Sequence, residues 1–343
     1  MSARPIDPAL LQEALAAYEK IGTIEGAAMS LNLSRNTYKY RLQRAQQLGV
    51  SPAGPEIEYP DLPADDIDPA EIIARASADF AQQKAARAAR KWFEIKVKGT
   101  KPIGVVWMGD PHVDNPGTNW PLLEQHIKII RDTEGVYSIL GNDLTDNWVG
   151  RLARLYARSN MSKNRASRLA RWIIAEAGLK PLAVIGGNHD LWNDGLDLFK
   201  AVAAKKVPVE AWGAKMALRF GNDRVCRLHL KHDFAGHSQW NPLHGPQKHA
   251  LMGEEAHVYA AAHKHNWALY KSEHEHRNHV YWLARARGYK FFDEHAEMHG
   301  FGSQQHGASI FILVDPAAKT ESGFVTCFDD VEEGAEFLKW KRR

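Results

Sequence analysis

Cysteine is scarce: Cys226 and Cys327 are the two in 343 residues. That excludes a disulfide-stapled scaffold and a cluster of thiolate metal ligands, and it fits a reducing compartment. There is also no apolar run long enough to cross a bilayer. The start, Met1 to Pro8, carries one arginine and two prolines where a secretory signal would have an apolar stretch, so a cytoplasmic protein without a membrane partner is expected. The net charge of +3 is too small to specify nucleic acid by itself. Histidine is missing from the N-terminal part, all 17 lying at or beyond His112.

What is present is segregated. From Ala45 to Ala74 there is no lysine or arginine, whereas Trp148 to Ala175 holds seven and no acid. A neutral imidazole is the commonest protein metal ligand, so the one-sided histidine enrichment directs attention to a metal site. At 343 residues the chain has room for two folded units and a linker.

Residues 1–50 are expected to form a small all-α domain of three helices. Apolar residues recur at helical spacing in Leu11, Leu15 and Tyr18, then Ile24, Ala27, Ala28 and Leu31, then Tyr40, Leu42 and Ala45. Ser34 is placed as an N-cap, leaving Arg35, Asn36 and Tyr38 exposed on the first turn of the third helix, where a DNA-reading helix presents side chains to base edges. The stretch from Gly22 to Leu42 resembles the helix-turn-helix of the Fis family, and that resemblance implies a DNA partner. A three-helix protein-docking module fits the same pattern.

Residues 51–70 hold five prolines and six acidic groups and are expected to be an extended linker. A connecting segment, 71–100, follows, with a helix from Pro69 to about Phe93. Beyond it, short β-branched runs alternate with helical stretches: residues 103–108, 136–140, 182–185, 224–230 and 258–261. Such alternation indicates an α/β layered domain over 101–343, with polar residues gathered at strand ends.

Five strand ends carry the chemistry: Asp110-Pro111-His112, Asn142-Asp143-Leu144-Thr145-Asp146, Gly187-Asn188-His189-Asp190, His232-Asp233, and His263-Lys264-His265. Singly, each is an ordinary turn or cap. Together, and in this order, they resemble the calcineurin-like metallophosphoesterase pattern. That resemblance implies a four-layer αββα sandwich and a phosphate-ester hydrolase using two divalent metal ions, manganese first, with iron or zinc as substitutes. Carried over position by position, Asp110, His112 and His265 hold one metal, Asn188, His232 and His263 hold the other, and Asp143 bridges them. His189 faces the substrate, Asp146 orients a ligand or His189, and Asp190 is equally well explained as a helix cap.

Three departures accompany the match. The family's Gly-Asp becomes Gly141-Asn142-Asp143, so either Asn142 occupies the usual Gly position or the loop has gained a residue, and the spacing to Asp146 favours Asp143 as the bridging ligand. Ala262 replaces a glycine before His263, which matters if the backbone there needs a positive φ. His229 and His237 compete with His232, which is preferred because it ends an apolar-alternating strand.

Arg151, Arg154 and Arg158 share a face if residues 151–158 form an α-helix, and with Lys163, Arg165, Arg168 and Arg171 they make a cationic strip suited to a phosphate backbone, or simply a solvated helix face. Tyr289, Arg285, Arg287 and Lys290 are candidates for another wall of the site, and the His- and Gly-rich residues 295–307 for a lid or simply a loop, with no metal role. The expected function is phosphodiester hydrolysis on DNA, with a nuclease as the leading case. A phosphatase or phosphodiesterase for a small molecule, nucleotide or phosphoprotein is the alternative enzyme, and a catalytically degenerate DNA-binding regulator the alternative class. The combination would suit a phage-like protein.

Overall fold

The computed structural model describes residues 6–51, 68–89, 91–141, 143–159, 161–192, 195–203, 206–275, 279–292 and 304–343. Most of the expected linker, 52–67, Asn142, and residues 295–303 of the expected lid lie outside these. The chain divides into two compact units, Met1–Ser77 and Ala78–Arg343.

The first unit holds three helices: α1 Pro8–Ile21, α2 Ile24–Ser30 and α3 Arg35–Gln47. Each has a local start signal. The side chains of Asp7, Thr23 and Ser34 accept from Ala9, Gly26 and Thr37 backbone N–H groups, and Gly22 ends α1 with φ 78°. Its core is Leu11, Ala14, Ala27, Ala28, Tyr38, Leu42 and Ala45.

The expected exposure of Tyr38 is overturned here. Tyr38 is fully buried and its hydroxyl donates to Ala14 O at 2.6 Å, whereas Tyr40 is 52% exposed. Residues 38, 42 and 45 mark the inner face of α3: Leu42 and Ala45 are buried as expected, and Tyr38 takes the inward place expected of Tyr40. Arg35 and Asn36 remain exposed, with Arg35 Nε 2.6 Å from Glu25 Oε1.

Helix α4, Pro69–Ala89, contains the boundary between the units and exposes its described side chains. It stops short of the expected Phe93, which opens a strand instead. The second unit has two six-stranded mixed sheets. One runs β1 (Phe93–Val97), β6 (Gly213–Phe220), β7 (Val225–Lys231), β8 (Val258–Ala261), β10 (His279–Arg285), β9 (Ala268–His274). The other runs β12 (Val325–Phe328), β11 (Ser309–Val314), β2 (Ile103–Met108), β3 (Val136–Gly141), β4 (Pro181–Ile185), β5 (Val209–Glu210). The run β2-β3-β4-β5 is parallel, and β7-β8-β10 is parallel in the other sheet.

Alternating residues of both sheets meet in one core. Val105, Trp107, Ile139 and Ile185 of one sheet pack with Met216, Leu218, Leu228, Leu230 and Ala260 of the other. The opposite residues of β2, β3 and β11, such as Val106, Leu140 and Leu313, pack with Leu123 and Ile127 of α5 (Trp120–Asp132), Ile173 of α6 (Lys163–Ala175) and Leu338 of the C-terminal helix Val331–Lys341. Tyr259 and Leu283 of the first sheet pack with Leu243 and Ala250, the latter on the helix His244–Met252. No helix among the described residues is long and apolar enough to cross a membrane.

Candidate metal centre

Loops after β2, β3 and β4 of one sheet and after β7 and β8 of the other converge. Parallel strands deliver their C-terminal ends to one edge, which is why residues so distant in sequence meet there. Two groups of side chains offer ligand atoms within 4.8 Å of one another: His112, Asp143 and His189, and Asp143, His232 and His263. Asp143 belongs to both. His232 Nε2 lies 3.3 Å from Asp143 Oδ2, and its Nδ1 lies 3.7 Å from Asp110 Oδ1. Asn188 Oδ1 is 2.8 Å from His232 Nε2, and the His265 ring is centred 5.2 Å from that of His112. All seven residues expected to bind metal are therefore gathered in one place. Of the competing histidines, His229 instead packs among Phe234, His249 and Tyr259.

The backbone is bent to make this possible. His112, Asp143, His263 and His265 all have positive φ, between 42° and 70°. Non-glycine residues rarely adopt this region, and strain of this kind persists where surrounding structure enforces it, commonly at functional sites. Ala262 is not among them, so its replacement of glycine is accommodated. Gly187 is needed for a different reason: a Cβ there would lie 2.2 Å from Asp143 Oδ1 and 2.6 Å from His232 Cε1.

A second ring of contacts fixes these groups. Asp146 Oδ1 is 2.7 Å from His112 Nδ1, its Oδ2 accepts from Asn115 Nδ2, and its carbonyl oxygen bonds His189 Nδ1. Asp190, a helix-capping residue through Gly187 N–H, also accepts from Asp143 and Leu144 N–H at 2.6 and 3.0 Å, tying the loop after β3 to the loop after β4. The sequence analysis missed Asp114, which accepts from Asp146 N–H at 2.7 Å, and Asn147, which donates to the carbonyls of His189 and Trp192. Both sit beside the motifs without being part of them, and no periodicity singles them out.

Burial and mutual repulsion dominate the electrostatics. Desolvation, then the neighbouring carboxylates, pushes the Asp143 carboxyl well above its ordinary range, and desolvation raises Asp110 likewise. Desolvation raises Asp190 to about 7. Desolvation, with the other histidines behind it, lowers His232 to about 2. Buried carboxylates that repel one another are thus gathered with neutral imidazoles, an arrangement that a bound cation would stabilise. Asp110 Oδ1 and His232 Nδ1 are buried with no hydrogen-bond partner, and such atoms call for a ligand. The donor set of carboxylate, imidazole and amide oxygen fits a borderline divalent cation.

Other expectations are corrected. Residues 150–158 form a 3₁₀ helix, in which side chains three apart eclipse. Arg151 and Arg154 are exposed on a face they share with position 157, and position 158 turns away from it; the side chain of Arg158 lies outside the described residues. Arg285, Arg287 and Tyr289 are buried rather than lining an open wall. Tyr289 Oη bonds His126 Nδ1 and Ser309 Oγ at 2.7 Å each. Arg285 donates to Asp233 Oδ1 and Pro242 O at 2.8 Å each, and to Ala262 O, clamping the loops that carry His232 and His263.

No protein-family model matches the chain, and neither does any curated protein.

Proposed function

We propose that the second unit is a phosphoesterase of the calcineurin-like type that uses two divalent cations, manganese first and iron or zinc as substitutes, to hydrolyse phosphodiesters, with DNA as its polymer substrate. The observation that carries this is the Asp143 carboxylate, shared by two imidazole groups, since a bridging carboxylate is what a two-cation centre requires. The sheet-on-sheet core with helices on outer faces supports the αββα layering that the resemblance implies.

In this assignment Asp110, His112 and His265 hold one cation and Asn188, His232 and His263 the other. Bound there, the cations supply Lewis acidity toward a phosphoryl oxygen and acidify water. Asp146 accepts from His112 Nδ1, so that His112 presents Nε2 to its cation. His189 is fixed the same way by the Asp146 carbonyl, leaving Nε2, 3.9 Å from Asp143 Oδ2, as the atom that carries a proton to the leaving oxygen.

DNA is favoured by position and charge. Arg151, Arg154, Lys163, Arg165, Arg168 and Arg171 are exposed in an acid-free segment that follows the Asp143 loop, and a phosphate backbone is attracted to such a surface. Arg35 and Asn36 are exposed on α3, whose Ser34 cap and preceding turn support a helix-turn-helix.

Purified protein with Mn²⁺ should cleave bis-p-nitrophenyl phosphate, and Asp143→Asn or His189→Ala should abolish turnover. A wild type inert with manganese, iron and zinc would overturn the enzyme in favour of a binding platform. Equal or better turnover of free nucleotides than of linear, nicked or single-stranded DNA would replace DNA by a small substrate.

A further inference from the structure

We propose that a cavity beside the metal centre, on the outer face of β6 and β7, binds the nucleotide flanking the scissile phosphate, with Trp212 stacking on its base and Lys231 meeting its phosphate. This inference rests on the phosphodiesterase assignment and extends it to a subsite.

The cavity holds about 450 Å³ and is lined by Lys91, Phe93, Trp212, Lys215, His229 and Lys231. That is too large for a lone anion and within the ordinary range of small-ligand sites. None of its lining residues belongs to the metal-binding set, but Trp212 joins the two places. Its carbonyl accepts the His232 N–H at 2.9 Å, and its ring lies 6.4 Å from the His232 ring. The indole is 53% exposed, a large apolar surface left in water at the rim of a cavity. A nucleobase presents a face of matching chemistry.

The charges agree. Lys91 and Lys215 share Glu254, each 3.3 Å from its Oε1. Among the described residues Lys231 has no carboxylate partner; its Nζ lies 5.8 Å from the Phe234 ring centroid. Lys231 is thus the lining cation left to meet a phosphate.

Inside, His229 is 8% exposed and its Nδ1 has no hydrogen-bond partner. Desolvation, then the Lys215 charge, lowers this imidazole to about 3, so it is neutral at physiological pH. The ring therefore adds no charge of its own to this wall of the cavity. Exposed aromatic surface and an available lysine in one cavity together describe a nucleotide better than either would alone.

The full chain, with Mn²⁺, is given bis-p-nitrophenyl phosphate and thymidine oligonucleotides of two to six residues. In parallel, anisotropy of a fluorescein-labelled thymidine tetranucleotide is measured without metal. Expected are a gain of about tenfold or more in kcat/KM from the small diester to the oligonucleotides, and a loss of most of that ratio in Trp212→Ala and Lys231→Gln. The same variants should weaken tetranucleotide binding about fivefold or more, and Lys231→Gln should flatten its salt dependence. If the small diester is cleaved but neither the ratio nor the anisotropy responds to either substitution, the subsite is refuted and the enzyme assignment stands. If nothing is cleaved but both variants weaken tetranucleotide binding, the enzyme assignment fails and the nucleotide site stands.

Discussion

Replacing Arg285 by methionine tests whether the centre is held by a clamp remote in sequence. The guanidinium is fully buried and spends its donors on Asp233 Oδ1, Pro242 O and Ala262 O. Methionine fills much of the volume but donates nothing. Two carbonyls lose a charged donor, while Asp233 keeps the Phe234 N–H at 2.9 Å and Lys264 Nζ at 3.6 Å. Asp233 is 25% exposed, so water recovers part of its loss, while the carbonyls are less well compensated. Breaking a buried, hydrogen-bonded charge by removing one partner costs about 3–5 kcal/mol. With the partial exposure of Asp233, the lower half of that range, about 3 kcal/mol, is expected. Lysine keeps the charge without the planar fork and should lose less, about 1–2 kcal/mol. Urea unfolding followed by tryptophan fluorescence reads the stability, and a manganese titration reads the site. Because Ala262 and Asp233 adjoin His263 and His232, metal affinity should fall with stability. A methionine variant within about 0.5 kcal/mol of wild type, binding manganese as tightly, would refute the clamp.

Three further outcomes are expected. Gly187→Ala should abolish metal binding at the second group of ligands, because the added methyl group overlaps Asp143 Oδ1 and His232 Cε1; calorimetric manganese titration showing wild-type affinity would contradict this. Tyr38→Phe should destabilise the N-terminal unit by about 1 kcal/mol through loss of the hydroxyl bond to Ala14 O, whereas a DNA-contacting Tyr38 would leave stability unchanged and weaken DNA binding. His126 is buried and lowered to about 4 by desolvation, so its stabilising contribution is complete above the ordinary histidine value of about 6.5 and is lost as pH falls toward 4. Wild type should therefore lose ground to His126→Gln by about 1.4 kcal/mol per pH unit below pH 6.5 in paired denaturation curves, and parallel curves would exclude a buried neutral imidazole.

The candidate metal ligands were legible because each sits where a β-branched run stops, and a strand end followed by Asp, Asn or His is visible in one dimension. The positive φ at four of them was not, since left-handed backbone at histidine is imposed by neighbours rather than by propensity. Tyr38 was misplaced through helical phase: α3 is short, and the polar residues between its apolar ones permit more than one inward face. Arg285 and Tyr289 were misjudged because their burial depends on partners such as Asp233, His126 and Ser309, far along the chain. The 3₁₀ winding of residues 150–158 likewise has no signature in the spacing of its arginines.

The donors of the centre are divided between the two sheets, Asp110, His112, Asp143 and Asn188 following strands of one, His232, His263 and His265 following strands of the other. If these donors bind metal as proposed, half a molecule makes half a coordination sphere. A nascent chain that has emerged only as far as β5 would hold acidic donors with few imidazoles opposite them, and a loosely gripped ion would exchange freely with the surrounding pool. Under the proposed two-cation assignment, tight capture would wait until β8 has joined its sheet, and ion retention would report on completed assembly.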